Sequence, residues 1–253
     1  RWRRGETAAQ RLQGSRIVLR RATLYRLGMT SPSIPPTTML DPAELSVAER
    51  YKLLIGCVTP RPIAFVSTVS ADGRPNLAPF SFFNAVGSNP MTLLFCPANT
   101  PEGGEKDTLR NAKPADDENG DGGTGEFVVN VATHELRQKV AGAAEDLPFG
   151  ESEFELVGLT PTPCEVVRAP RVAESPVAFE CKTTQVIRTN PGEPGGGNVV
   201  MGEVVRVHVR EGLVNERMHT DLDALDAIGR MGGKSYCTTR ERFDLPVGRA
   251  ALE

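Results

Sequence analysis

Histidine is scarce in this chain. Only three of its 253 residues, His134, His208 and His219, carry an imidazole. A nucleophile-and-base enzyme needs one of them beside a serine or cysteine, and none has that setting. His134 opens a helical pattern as Thr133-His134-Glu135, His208 falls on the polar phase of an alternating strand, and His219 lies near Arg217 and Asp221. Surface or capping roles are expected for all three. Gly-x-Ser-x-Gly, paired metal-ligand histidines and a Gly-x-Gly-x-x-Gly turn after a strand are also missing, which removes the hydrolase, zinc-protease and dinucleotide-fold readings. The five cysteines (Cys57, Cys96, Cys164, Cys181, Cys237) stand singly, with no C-x-x-C pair. This argues against a disulfide framework and a zinc ribbon and predicts a reducing compartment, the cytoplasm. No apolar run approaches the roughly 20 residues of a membrane span, and a net charge of -3 gives no general nucleic-acid footprint. With little chemistry of its own, the chain points to a soluble protein that faces small molecules.

What charge there is lies unevenly. Residues 1–28 hold eight arginines and one acid, Glu6, while the remainder holds 21 basic and 31 acidic residues, a net of -10. An arginine-rich, acid-poor leader fits a targeting segment or a basic arm. The chain begins with Arg, however, and Met29 precedes a Ser/Pro/Thr-rich stretch. We therefore expect an upstream extension without a folded role, and disorder over residues 1–40. A hydrophobic content of 39% can bury a sizeable core, so residues 41–253 are expected to form a single domain.

Apolar runs rich in Val, Ile, Phe and Thr recur at residues 62–70, 91–96, 126–132, 177–187 and 199–209, each reading as a strand. In the last, Val205, Val207 and Val209 alternate with Arg206, His208 and Arg210, the pattern of a half-solvated strand. Helical patterning is confined to residues 46–54, where Ser46 and Glu49 form a possible capping box, and to 106–113, 134–144 and 221–228. The result is a mainly β chain with short helices, a barrel with helical decoration. Two inserts, 114–125 (PADDENGDGGTG) and 190–198 (NPGEPGGGN), are polar and glycine-rich enough to be surface loops. The first lacks the ligand spacing and terminal Glu of an EF-hand. The second lacks the Lys-Ser/Thr ending and following helix of a phosphate loop, and reads as an exposed hairpin or a mobile lid.

The densest signal lies in residues 61–90, RPIAFVSTVSADGRPNLAPFSFFNAVGSNP. A strand meets an Asp-Gly hairpin turn, and the return limb sets Ser81 and Asn84 among phenylalanines, with Pro79 removing a donor that a central strand would need. Such a segment suits a flat, mostly apolar ligand with a few hydrogen-bonding atoms. Further on, Lys106-Asp107-Thr108 could open a short helix capped by Asp107 or Thr108, with Lys106 adding positive charge for an anion. An ordinary capped surface helix accounts for it equally well.

The order RPIAFVST (61–68), NLAPFSFFN (76–84), Pro90, KDT (106–108), EFVVN (126–130), Gly202 within 199–209, and RMGG (230–233) before Tyr236 resembles the flavin reductase-like, FMN-binding split-barrel proteins. The likeness covers roughly residues 51–249. It implies a Greek-key split β-barrel and a homodimer that holds FMN, or FAD, near the subunit interface. It also implies NAD(P)H as co-substrate and a monooxygenase or other electron acceptor as partner. By motif match, Ser67, Thr68, Ala78, Pro79, Phe80, Ser81 and Asn84 would line the ring and ribityl chain. Lys106, Asp107 and Thr108 would hold the phosphate, and Arg61 and Pro62 would shape the entrance. No protein residue would bond covalently to substrate. One departure stands out: small reductases of this group often carry Gly-Asp-His before the Gly-x-Val strand, whereas this chain has Gly195-Gly196-Gly197-Asn198. The pattern is closer to the longer branch of the family, which includes flavoredoxin-like proteins and reductases of uncertain partner; the resemblance implies an FMN-dependent oxidoreductase that passes hydride from NAD(P)H to flavin, with a non-enzymatic electron-transfer flavoprotein as the alternative.

Overall fold

The turn at Asp72-Gly73 joins two strands, β1 (Ala64–Val69) and β2 (Pro75–Phe80), with Gly73 at φ +88° supplying the left-handed conformation that tight turns favour. The computed structural model describes residues 20–21, 35–119, 122–148 and 151–252, and the chain divides into units Arg1–Tyr51 and Lys52–Glu253. In the first unit Arg20–Arg21 pairs antiparallel with Thr38–Met39. A 3-10 turn (Pro42–Glu44) precedes helix α1 (Val47–Cys57), within which the division falls. The capping box forms: Ser46 donates from its backbone N–H and its hydroxyl to Glu49 Oε2 at 2.9 and 2.7 Å, and Glu49 N–H donates back to Ser46 Oγ at 3.3 Å. The expected targeting or disordered leader falls mostly outside the described residues.

In the second unit five further strands complete an antiparallel sheet: β3 (Phe83–Ser88), β4 (Met91–Phe95), β5 (Glu126–Val131), β6 (Val177–Arg188) and β7 (Asn198–Val209). The seven strands lie in the order β2-β1-β5-β6-β7-β4-β3. Reading β4-β7-β6-β5 gives the 4-1-2-3 arrangement of a Greek key, traversed in reverse. β2 is an edge strand of this ladder, which is why Pro79 is tolerated there. Helices α2 (Asp107–Ala112), α3 (Arg137–Gly142), α4 (Glu153–Val157) and α5 (Leu222–Leu225) are short. α3 starts later than its pattern suggested, and α4 has no counterpart among the expected helices. No helix of the described residues is long and apolar enough to cross a membrane.

The sheet cannot be flat. Phe80 on β2 and Phe95 on β4 stand five strand spacings apart in the ladder, about 24 Å on a flat sheet, yet their ring centroids are 5.2 Å apart. Phe95 also meets Phe127 of β5 edge-on at 5.1 Å. The sheet therefore curls around these rings, with Ala64, Val66, Val129, Val200 and the α2 residues Leu109 and Ala112 in the same cluster. On the other face of β1, Phe65 joins Leu77, Val140 of α3 and Phe154 of α4. β1 is consequently buried on both faces, which accounts for its nearly continuous apolar sequence.

Gly202 on β7 makes room for the Phe127 ring: a Cβ there would stand 2.5 Å from its Cε1 and Cζ. Gly202→Ala is expected to lower the unfolding free energy by about 1–3 kcal/mol through overpacking, as read from urea titration. An unchanged midpoint would show that the ring has room to retreat.

Two expectations about the polar parts need correction. Along β7 the valines do not all face inward: Val207 and Val209 are exposed while His208 is half-buried, its Nε2 2.6 Å from Glu180 Oε1. A register shift at Glu180/Cys181, where Cys181 pairs with Val204 but Glu180 with Arg206, inserts one residue and reverses the alternation. His208 is thus not a surface residue. The acidic insert is also more than a surface loop. Asp117 bonds Arg188 at 2.8 Å, Arg188 bonds Glu105 at 2.8 Å, and Glu105 bonds the buried Lys113 at 3.0 Å, because buried cations need counter-charges. Asp121 of the same insert lies outside the described residues.

Glu180 is fully buried. Burial alone would raise its pKa, but backbone N–H groups of Glu165, Val167 and Val166, together with His208, hold the carboxyl down at about 2. A carboxyl depressed from its ordinary value of about 4.3 contributes stability above that value and loses it as pH falls through about 2. We expect a loss on the order of 3 kcal/mol across this window. Glu180→Gln should flatten the pH dependence, and parallel curves for the two proteins in acid unfolding would contradict it.

Candidate functional site

A cavity of about 710 Å³ opens where β2 meets the start of α2, within the roughly 300–1,000 Å³ of ligand sites. β2 contributes Asn76, Ala78, Pro79 and Phe80, the following loop Thr100, Pro101 and Glu102, and the α2 region Lys106, Asp107, Thr108 and Arg110. The rest of the lining comes from residues 143–147 beyond α3 and from Glu153 of α4.

Hydrogen bonds fix this wall. Asn76 Nδ2 donates to Thr108 Oγ1 at 2.9 Å, and Asn111 Nδ2 to Thr68 Oγ1 at 3.1 Å, so the β1–β2 hairpin and α2 are tied at two points. Leu77 N–H donates to Glu153 Oε2 at 2.9 Å, giving the edge strand an acceptor from α4. Lys106 is the N-cap of α2 with no side-chain capping bond, which corrects the expectation that Asp107 or Thr108 caps it. The Thr108 hydroxyl is taken up by Asn76 instead.

Carboxylates outnumber cations around the cavity. Glu102, Asp107, Glu145, Asp146 and Glu153 face Lys106 and Arg110. Lys106 Nζ pairs with Asp146 at 3.0 Å, and Arg110 with Asp107 at 3.6 Å. Burial pushes the Glu153 carboxyl up, against the pull of the Leu77 N–H, so it takes up a proton more readily than a freely solvated glutamate does.

The cavity gathers Ala78, Pro79, Phe80, Lys106, Asp107 and Thr108 of the expected site residues. Arg61, Pro62, Ser67, Thr68, Ser81 and Asn84 do not line it. Ser67 is fully buried, bonded to Pro170 O and accepting from Asn130 Nδ2 at 3.0 Å. Thr68 is equally buried and anchors α2 from behind. Arg61 is a buried clamp: its guanidinium donates to the carbonyls of Ile55, Val58 and Met231 at 2.8, 2.6 and 3.0 Å and to Ser81 Oγ at 3.3 Å. It also stacks over Phe82 at 5.8 Å. Pro62 and Asn84 are exposed, and the Asn84 carbonyl accepts from Ala85 N–H.

Sequence reasoning passed over Asn76, although it stands in the NLAPF motif, and Glu153, which no local pattern marks. The hairpin 190–198 is pinned rather than loose. Asn99 Nδ2 donates to Asn190 O and Glu193 O at 3.1 and 2.9 Å, and Asn198 Nδ2 to Pro97 O and Asn99 Oδ1 at 3.1 and 2.8 Å. This counts against a mobile lid.

A curled Greek-key sheet with a ligand-sized cavity between its edge hairpin and a short helix is the architecture of a split β-barrel with a candidate small-molecule site. The flavin reductase like domain matches residues 55–225, and the chain belongs to that family. Nitrilotriacetate monooxygenase component B from Bacillus cereus is 34% identical, with 85% of this chain and 100% of that chain covered and a TM-score of 0.74. 2-Nitrobenzoate 2-nitroreductase from Pseudomonas fluorescens is 30% identical over 84% and 97% of the two chains, with a TM-score of 0.70. A Shewanella frigidimarina protein described as a flavin reductase with a split barrel domain, 24% identical over 81% and 94% of the chains, has a TM-score of 0.68. That likeness bears on fold alone, and it agrees with the mainly β split barrel expected from the sequence.

Thr108→Val keeps the shape but removes the acceptor of Asn76 Nδ2. It should lower the unfolding free energy by about 1–2 kcal/mol in chemical denaturation. A change near zero would mean that the tie between hairpin and helix is replaced by water.

Proposed function

We propose that the protein binds FMN, or the larger FAD, in the cavity between β2 and α2 and acts as a cytoplasmic NAD(P)H-dependent flavin reductase. It would serve as a homodimer supplying a monooxygenase or another acceptor. The observation that carries this reading is the cavity's two-ended chemistry. Ala78, Pro79 and Phe80 form an apolar wall suited to a flat ring, while Asn76, Thr108 and Lys106 offer neutral polar groups and a cation suited to ribityl hydroxyls and phosphate. Family membership supports the flavin, and the likeness to component B of a monooxygenase supports the acceptor. The exposed edge strand β3, with Val86 at 47% exposure, supports pairing with a second copy.

The acidic rim sets a condition. A phosphate must take Lys106 from Asp146, which is 84% exposed and is released to water at little cost. When bound, a flavin supplies the two-electron chemistry between a nicotinamide and an acceptor, and the chain's residues hold and orient it. A specific observation keeps a second reading, a non-enzymatic electron-transfer flavoprotein: Asn198 stands where small reductases often carry a histidine, and its amide is committed to Pro97 and Asn99.

Anaerobic addition of NADH or NADPH to the FMN-loaded protein separates the two. Bleaching of the flavin absorbance within seconds supports the reductase, and a yellow protein that neither nucleotide bleaches supports the carrier. Failure to retain FMN would sink both. Lys106→Ala is expected to weaken FMN binding by ten- to hundredfold, about 1.5–3 kcal/mol, in a fluorescence titration. Asp146→Asn should strengthen it by freeing the ammonium. Unchanged affinity in both variants would remove Lys106 from the site.

A further inference from the structure

A second cavity, of about 490 Å³, opens beside the end of β7 and shares no lining residue with the first. Three cationic or basic side chains border it: Arg171, His208 and Arg210. Arg171 Nε is buried without a hydrogen-bond partner, and the residue forms no ion pair among the described residues. A buried donor without an acceptor is costly and marks the place of a missing partner. Arg210 reaches only the carbonyl of Glu174, at 3.3 Å. It also borders a smaller cavity with Glu135, Asp223 and Asp226, none of which pairs with it. His208 uses Nε2 on Glu180, and its Nδ1 makes no hydrogen bond among the described residues. The Glu174 carboxylate is engaged by the backbone and hydroxyl of Thr160, so the nearby acids do not neutralise the guanidinium groups.

Val207 and Val209 alternate with His208 and Arg210 along β7 and stand on the other face of that strand, whereas the small apolar side chains of Ala173 and Pro176 line the same cavity. Bare phosphate has no use for such a surface, whereas a carboxylate on a compact apolar body matches both halves. We propose that this cavity binds a small organic carboxylate, with Arg171 as its anchor, Arg210 as a second guanidinium, and Ala173 and Pro176 against the apolar part. A metal is the competing occupant, because Cys164, Glu180 and His208 bring ligand atoms within 4.8 Å of one another. Against it, Glu180 already accepts three backbone N–H groups and the imidazole, and two arginines border the same cavity.

Calorimetric titration of the whole protein with benzoate, inorganic phosphate and zinc chloride tests the assignment. Saturable benzoate binding at one per chain is expected, weakened at least tenfold in Arg171→Gln and several-fold in Arg210→Gln. The surface control Lys182→Gln should bind as the parent does. Thermal unfolding of Arg171→Gln should match the parent, because no bond is lost, and its FMN affinity should be unchanged, which keeps this test separate from the flavin reading. Absence of benzoate binding, equal loss in the Lys182 control, or phosphate binding as tight as benzoate would overturn the proposal. Zinc binding abolished by Cys164→Ser would overturn it in favour of a metal.

Discussion

Seven strands share one aromatic centre, and the rest of the molecule is arranged around that constraint. The Phe80–Phe95–Phe127 contacts require the sheet to curl, and Gly202 leaves the space in which the Phe127 ring lies. Once the sheet curls, Leu109 and Ala112 seat α2 on the same cluster, so the start of that helix arrives beside β2. Phe80 then has two surroundings: it packs against Phe95 and also lines the cavity. The candidate site is thus the outer boundary of the barrel core rather than a separate construction, and substitutions that loosen the core should also reshape it.

The polar groups divide into those that hold the frame and those that face a ligand. Ser67, Thr68, Arg61 and Glu180 are buried with their hydrogen bonds satisfied by protein, and such groups specify geometry rather than binding. Lys106 with Asp146, and Arg110 with Asp107, are half-exposed pairs at a cavity. Exposed pairs of this kind contribute little to stability and exchange partners readily. The cavity is therefore rigid in its backbone and adjustable in its charge.

Much of this was legible beforehand. Strand positions, the Asp-Gly turn and the edge character of β2 follow from periodicity and proline chemistry, because they depend on neighbours along the chain. Ala78, Pro79, Phe80, Lys106, Asp107 and Thr108 were found by motif order and do meet in one cavity. Ser67 and Thr68 fall outside that cavity for a physical reason. β1 is covered on both faces, and a hydroxyl in such a strand has no side left for a ligand, a fact set by the packing of α2 on one face and of α3 and α4 on the other. The role of Glu153 depends on a bond to Leu77 across 76 positions of sequence, and the phase of His208 depends on a bulge at Val205 of its own strand, set by the pairing with β6. Neither leaves a local signature.

The central claim is that the pocket made by the curled sheet and α2 is where this chain holds a flavin. Hydrogen–deuterium exchange of the whole protein with and without FMN tests it directly. The account predicts slowed exchange in residues 76–80, 100–110 and 143–147, with residues 190–198 unchanged. Protection confined to other segments, or none at saturating FMN, would contradict it.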